Sequence, residues 1–205
     1  MGFYKTNILP GLTNLVCSQK DVSRQRRKVV PHARGRVLEI GMGSGLNLPF
    51  YNPNRIDLVW GLEPSDALRR MAVKKAERMP FHIEFIGHPS EDIPLESRCA
   101  DTVVVTYTLC SIPGISKALA EMRRVLKPGG ELLFLEHGRS PDKGTARMQD
   151  LLNPLWKPVS GSCHLNRRID RLIESNGFKL THLETGYMSP IKLISFNYWG
   201  AAVSK

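Results

Sequence analysis

Glycines at alternate positions mark one loop of this sequence as a place where the backbone could approach a ligand closely. Residues 39–45 read Glu-Ile-Gly-Met-Gly-Ser-Gly and follow a short apolar run, so the loop lies at the carboxyl end of a predicted strand. Open α/β sheets bind ligands at that edge. The spacing differs from the dinucleotide fingerprint and lacks the Gly-Lys-Ser/Thr of a P-loop. An ordinary tight turn is the alternative. The predicted ligand contacts are Gly41, Gly43, Ser44, Gly45 and Asn47.

A carboxylate and three further loops extend this candidate site. Glu63 ends the next apolar run, at the separation of about 20 residues where an acid can hold ribose hydroxyls in doubly wound nucleotide sites. A surface carboxylate is the alternative interpretation. The loops after the next two predicted strands end at the same edge of the sheet.

Groups that could act on a second substrate lie mostly in the second half of the chain. They are Tyr107, His137, Asn153, Trp156 and His164, of which Tyr107, His137 and His164 are the predicted catalytic side chains. His137 could serve as a general base near its unperturbed pKa, or simply bond to loop backbone. Adjacent side chains rarely aim at each other, so Cys163 and His164 are not expected to form a nucleophilic dyad. No His, Cys or Asp cluster has metal-ligand spacing, so we expect no metal site.

Alternating strands and helices must position these residues. Strands are predicted near residues 37–40, 58–62, 83–86, 102–106, 132–135, 179–187 and 194–203, and helices over 66–79, 116–126 and 166–176. Lys-Pro-Gly-Gly at 127–130 should stop the second of these helices. The pattern predicts an α/β fold with a doubly wound, Rossmann-like, seven-stranded and mostly parallel sheet.

The first 34 residues precede this pattern. We interpret residues 1–34 as one or two helices that form a lid over the cleft, and residues 35–205 as the ligand-binding domain, within a single domain overall. The dense basic group Arg24, Arg26, Arg27 and Lys28 is interpreted as a solvated helix face.

Composition narrows the classes of partner. The formal net charge is +10, but the basic residues are dispersed without interleaved aromatic side chains, so no nucleic acid is expected as partner. None of the four cysteines forms a C-x-x-C pair; we interpret them as reduced thiols in a cytoplasmic protein. No apolar run reaches the length of a membrane span. The sequence does not indicate an oligomeric state.

Several motifs in a fixed order point to a family. They are the glycine loop, Glu63, Ser-Glu-Asp at 90–92, Ala-Asp-Thr-Val at 100–103 and Lys-Pro-Gly-Gly at 127–130. Over about residues 36–137 the sequence resembles class I S-adenosylmethionine-dependent methyltransferases, particularly the branch with ubiquinone-biosynthesis enzymes. The resemblance implies S-adenosylmethionine as cofactor and S-adenosylhomocysteine as product. It also implies that the glycine loop holds the methionine part, Glu63 the ribose, and Ser90, Glu91 and Asp92 the adenine. Pro64 would complete this site, with Thr106 and Tyr107 beside the sulfonium.

The second half of the sequence is similar to a narrower group of methyltransferases. Glu-His-Gly at 136–138, Asn-Pro-Leu-Trp at 153–156 and Ser-Cys-His-Leu-Asn-Arg at 162–167 resemble the group that includes mammalian membrane-associated thiol S-methyltransferases. The chain departs from that group by carrying His164 where asparagine is expected, and we expect no hydrophobic amino-terminal anchor. The resemblance implies methyl transfer to a small hydrophobic acceptor such as a thiol, within a pocket walled by Leu109, Trp156 and Met188. A phospholipid amine, a quinone precursor, a non-catalytic cofactor-binding module and a peripheral membrane contact stay open.

Overall fold

The computed structural model describes residues 9–205, so residues 1–8 of the predicted lid lie outside the described part. The strands are β1 Gly35–Ile40, β2 Ile56–Leu62, β3 His82–Ile86, β4 Ala100–Thr106, β5 Leu126–His137, β6 Phe178–Tyr187 and β7 Phe196–Ser204. The helices are α1 Leu9–Cys17, α2 Lys20–Val29, α3 Asp66–Ala76, α4 Ile115–Val125, α5 Lys143–Val159, α6 Ile169–Ser175 and α7 Lys192–Ser195.

The strands form one seven-stranded sheet in the order β3-β2-β1-β4-β5-β7-β6. Strands β1 to β5 pair in parallel, whereas β7 runs antiparallel to both β5 and β6. The predicted mostly parallel, doubly wound sheet is confirmed. The strand order reverses between β1 and β4, and such a switch point opens a crevice at the carboxyl ends of the strands.

Burial on both faces explains why the central strands read as unbroken apolar runs. In β4, Val103, Val104 and Val105 are all fully buried. Val103 and Val105 pack into one hydrophobic cluster, and Val104 packs into the cluster on the other face, because successive side chains of a strand point to opposite sides.

The segment before β1 has two differently packed parts. From α2 onward it belongs to the body of the protein, since Val29, Val30 and Ala33 are buried in the cluster beneath the sheet. In α1, by contrast, Leu15 is 65% exposed and Val16 is 50% exposed. These two side chains of α1 therefore contribute little to the core, in contrast to the buried side chains that follow in α2.

Two local features differ from the sequence expectation. Helix α5 has no counterpart among the predicted helices; it contains Pro154 and Pro158, residues that usually end helices, and buries only Ala146 and Gln149. The segment 127–130 does stop α4, which ends at Val125, but it then forms the irregular start of β5, where the pairing with β4 shifts register.

Across residues 9–205, none of the helices is long and apolar enough to cross a bilayer.

Candidate active site

A cavity of about 520 Å³ opens at the carboxyl ends of β1, β2 and β4. Its wall contains many of the residues that the sequence predicts: Gly41, Gly43, Ser44, Asn47, Glu63, Pro64, Ser90, Glu91, Thr106 and Tyr107. Helices α1 and α2 contribute Asn14, Cys17 and Arg26, and further loops contribute Thr108, Ser111, Ile112, Pro113, Ser160 and Gly161. The fold therefore brings residues from distant parts of the chain to the edge where doubly wound sheets bind ligands.

A second cavity, of about 850 Å³, lies near the starts of β4 and β5, at the opposite edge of the sheet. Arg98, Arg123 and Lys127 line it with the carboxyl-terminal residues. Because ligands of this architecture bind at the carboxyl edge, we take the smaller cavity as the candidate active site.

Two glycines of the loop have different roles. Gly41 and Gly43 both have positive φ, which favours glycine. A side chain at position 41 would run into Thr108, so Gly41 is required by packing of the loop. At position 43 the nearest atom to an added Cβ is a carbonyl oxygen 3.9 Å away, so Gly43 faces open space. The loop thus leaves room for a ligand at Gly43.

Glu63 fastens the glycine loop to the start of α3. It is 7% exposed; one carboxylate oxygen accepts the Gly43 N–H at 3.0 Å and the other accepts the Ser65 N–H at 2.8 Å. Burial raises the pKa of Glu63, although these two bonds oppose the shift. A carboxylate has further lone pairs, so hydroxyl groups of a ligand can still donate to it.

Asn47, in the cavity wall, links three parts of the structure. Its amide nitrogen donates to Glu39 and Thr106, both at 3.0 Å, and its oxygen accepts from Arg26 at 2.9 Å. Glu39 also accepts a 2.6 Å bond from Tyr51, and burial raises the pKa of Glu39 to about 7. This network ties helix α2 to the end of β1.

Arg26 is a cavity residue that the sequence analysis missed. It is 4% exposed, donates to the Cys17 carbonyl at 2.9 Å and stands 5.4 Å from the ring centre of Tyr107. Interpreting its basic group as a solvated face was wrong for this residue. The signal was the spacing, since Val22, Arg26 and Val29 recur on one buried helix face.

Tyr107 has an uncommon backbone conformation at the end of β4. Its φ is 53°, in the left-handed region that non-glycine residues seldom adopt. Its N–H bonds the Leu135 carbonyl at 2.8 Å, and its hydroxyl contacts the Met188 sulfur at 3.3 Å. Burial raises the Tyr107 pKa, so the phenol stays protonated and can act as a donor.

Glu136 organises the loop that follows Tyr107. It is fully buried, and its carboxylate accepts the N–H groups of Thr108 at 2.7 Å, Leu109 at 3.0 Å and Cys110 at 3.3 Å. Burial raises its pKa to about 7. The loop so held sends Leu109 into the hydrophobic core, and Leu109, Trp156 and Met188 are not part of the described cavity wall. Their expected role as acceptor wall stays a prediction.

Cys163 pairs with His137 instead of His164. The His137 Nε2 atom lies 2.8 Å from the Cys163 sulfur, and Cys110 joins them, so that the ligand atoms of all three lie within 4.8 Å of one another. Desolvation opposes protonation of His137, but Cys163 and Glu136 outweigh it and raise its pKa. The sequence expectation considered spacing along the chain, whereas the fold gathers these three side chains from separate segments.

His164 and three other predicted residues stand outside the cavity wall as described. Desolvation and the charges of Arg167 and Lys157 lower the pKa of His164 to about 4, so it is neutral near pH 7. His137, Gly45 and Asp92 are likewise absent from the described wall. Their predicted roles stay predictions.

Comparisons with known proteins agree with this geometry. A family model described as a methyltransferase domain matches residues 38–134. The human thiol S-methyltransferase TMT1B is 37% identical over 158 residues, which cover 74% of this chain and 64% of that protein. The chain thus spans less than two thirds of that relative. A phosphatidylethanolamine N-methyltransferase from Cereibacter sphaeroides is 32% identical over 183 residues, covering 83% of this chain and 84% of that protein.

A solved structure supports the same fold. The SAM-dependent methyltransferase LMAJ004091AAA of Leishmania major superposes with a TM-score of 0.71 at 16% identity, covering 97% of this chain and 80% of that one. The cavity fits an adenosyl cofactor, with open space at Gly43 and spare carboxylate lone pairs on Glu63. The chain belongs to the class I S-adenosylmethionine-dependent methyltransferases, enzymes whose cofactor is S-adenosylmethionine and whose product is S-adenosylhomocysteine.

Proposed function

We propose that this protein methylates a small hydrophobic thiol in the cavity between the glycine loop and the lid. The observation that carries the proposal is the charge of the lid-side wall. Arg26 is buried there and, within residues 9–205, forms no ion pair, whereas the neighbouring wall consists of small neutral residues such as Ser111 and Gly161. A buried cation favours an anionic acceptor, a thiolate, and disfavours an ammonium group.

The cofactor would be held by the remaining wall. The glycine loop would take the methionine part, Glu63 the ribose hydroxyls, and the loop at Ser90 and Glu91 the adenine. When bound, S-adenosylmethionine supplies a methyl group that is already activated on a sulfonium. Thr106 and Tyr107 would then lie between the cofactor and the acceptor, since they line the cavity at the end of β4.

The residues of the chain have a limited task in such a reaction. They must align the acceptor sulfur with the methyl group, exclude water and favour the thiolate form. Arg26 supplies charge, Tyr107 a protonated phenol, and α1 with α2 a cover over the cavity. His137 touches Cys163 directly, so any action on the acceptor would pass through that contact.

The relatives support the acceptor class without deciding it. The thiol S-methyltransferase TMT1B from rat is also 37% identical, over 152 residues. A phospholipid amine is the second candidate, because the phosphatidylethanolamine N-methyltransferase aligns over 84% of its length, a larger share than TMT1B.

A competition assay separates the two acceptors. The protein would be given methyl-labelled S-adenosylmethionine together with an alkyl or aryl thiol and phosphatidylethanolamine vesicles. We expect most label in the methyl thioether, at a rate that rises with pH through the thiol pKa. Label in the phospholipid without label in the thiol would overturn the proposal. Glu63→Ala, shown to be folded by its thermal unfolding transition, is the control. Because this variant should bind the cofactor weakly, any activity that it retains at the wild-type level would come from a contaminating enzyme.

A further inference from the structure

We propose that Cys110, His137 and Cys163 bind a zinc ion directly behind the cavity wall. The three side chains come from separate segments: Cys110 from the loop after β4, His137 from the last position of β5, and Cys163 from the loop between α5 and α6. Two sulfur atoms and one imidazole nitrogen converge there within 4.8 Å of one another.

The spacing suits a tetrahedral zinc site. Zinc–sulfur and zinc–nitrogen bonds of about 2.3 and 2.0 Å place tetrahedral ligand atoms about 3.5 Å apart. The His137 nitrogen and the Cys163 sulfur are 2.8 Å apart, so binding would require these two atoms to separate by less than about 1 Å. Two thiolates with one imidazole form a soft ligand set that zinc prefers over calcium or magnesium.

Backbone contacts hold the ligands in place. The Cys110 N–H bonds the Glu136 carboxylate at 3.3 Å, and the Cys110 carbonyl accepts from the His164 N–H at 2.9 Å. Cys110 is 2% exposed and Cys163 is 9% exposed. A cluster that is buried and braced from both loops loses little entropy on binding an ion.

Three protein ligands leave the fourth tetrahedral position of the zinc ion open. Cys17 lines the cavity, but its sulfur lies outside the group of three. Three protein ligands with an exchangeable fourth position are the arrangement of catalytic zinc sites. Ser111 and Gly161, which follow Cys110 and precede Cys163 in the chain, line the cavity, so the ion would lie at its acceptor end.

The role of the ion rests on the proposed function, whereas its binding does not. A thiol acceptor that takes the fourth position releases its proton to solvent and is held as a thiolate. Methyl transfer then forms one sulfur–carbon bond in the acceptor and breaks one in the sulfonium. Zinc would thereby let a thiol react at a pH below its free pKa.

The decisive measurement is the metal content of the wild-type protein. After purification under reducing conditions with added zinc, followed by desalting, elemental analysis should find one zinc per chain. Replacement by Co²⁺ should give a thiolate-to-metal charge-transfer band in the near ultraviolet and the visible bands of tetrahedral cobalt. A folded, reduced protein that retains no zinc and gives neither set of bands would overturn the proposal.

Four variants locate the site. Cys110→Ser and Cys163→Ser should lose the cobalt bands, whereas Cys99→Ser and His164→Asn, which remove a buried cysteine elsewhere and the histidine next to Cys163, should keep them. Circular dichroism checks that each variant folds. Cobalt bands unchanged in both cysteine variants of the cluster would refute the assignment.

The two proposals can fail separately. Bound zinc in a protein that methylates phosphatidylethanolamine but no thiol would support the metal site and contradict the thiol acceptor. Thiol methylation by a zinc-free protein, at a rate unchanged by added zinc, would contradict the proposed role of the ion and support the thiol acceptor, whereas the metal analysis above decides whether the site exists.

Discussion

Buried carboxylates organise the backbone around the cavity. Glu63 bonds the glycine loop, Glu136 bonds three N–H groups of the loop after β4, and Glu39 anchors the network that reaches α2 through Asn47. Glu63 was predicted from its place at the end of a strand. The hydrogen bonds from these carboxylates to backbone N–H groups were not predictable, because they depend on which N–H groups lie close to each carboxylate in the folded chain.

Replacing Glu63 should weaken cofactor binding. Glu63→Ala removes the charged partner of the ribose hydroxyls and frees the Gly43 N–H, so we expect the affinity for S-adenosylhomocysteine to fall by about 1–3 kcal/mol, roughly 5- to 150-fold. Equilibrium dialysis with labelled ligand measures it. Because Glu77 is exposed, Glu77→Gln is the matched control. Unchanged affinity in a folded Glu63→Ala would show that the carboxylate contacts no ligand.

The raised pKa of Glu39 predicts a pH dependence of stability. Burial raises this pKa to about 7, above the value of about 4.3 expected in the unfolded chain. Between these values the folded chain binds more protons at this site than the unfolded chain does. The contribution of Glu39 to stability is therefore full below about pH 4.3 and is lost as the pH rises towards 7.

Glu39→Gln should abolish this contribution. The difference in unfolding free energy between wild type and variant should change by up to about 3 kcal/mol between pH 4.5 and 7, in the direction of a relatively more stable variant at the higher pH. Urea unfolding at several pH values measures it, and Glu77→Gln controls for surface charge. A difference independent of pH would show that the Glu39 pKa is not raised.

At the scale of elements, the two helices that precede β1 pack differently. Helix α2 shares the core through Val29, whereas α1 reaches the cavity with Asn14 and Cys17. The sequence predicted helices here because apolar residues recur at helical spacing, but it did not show that Arg26 turns inward. Helix α5 was not predicted, because it contains two prolines and buries only two residues, so its sequence lacks the regular spacing of apolar residues that indicates a helix.

Removing α1 should separate catalysis from cofactor binding. A chain that begins at Gln19 keeps α2 and its Arg26–Asn47 bond, but loses Cys17 and the Asn14 contact to Ser44. We expect turnover to fall by about tenfold or more, because water enters the acceptor end, while the affinity for S-adenosylhomocysteine changes by less than about threefold. Steady-state kinetics and dialysis measure both. Equal losses would identify α1 as part of the cofactor site instead of an acceptor lid.

At the scale of the whole molecule, one topological feature assembles the site. The reversal of strand order between β1 and β4 places the glycine loop beside Tyr107, so motifs in sequence order became neighbours in space. This part was predictable, because each motif follows a strand. The His137–Cys163 contact was not, since it depends on where the loop between α5 and α6 returns to the sheet.

The central claim is that this single cavity holds the cofactor. Its most direct test is a calorimetric titration of the wild-type protein with S-adenosylhomocysteine. The titration is then repeated in the presence of saturating S-adenosylmethionine. We predict saturable heat from one site per chain, and its disappearance when S-adenosylmethionine is present in excess, because both ligands need the same glycine loop and Glu63. Absence of heat with either ligand from folded protein, or undiminished heat in the competition, would contradict it.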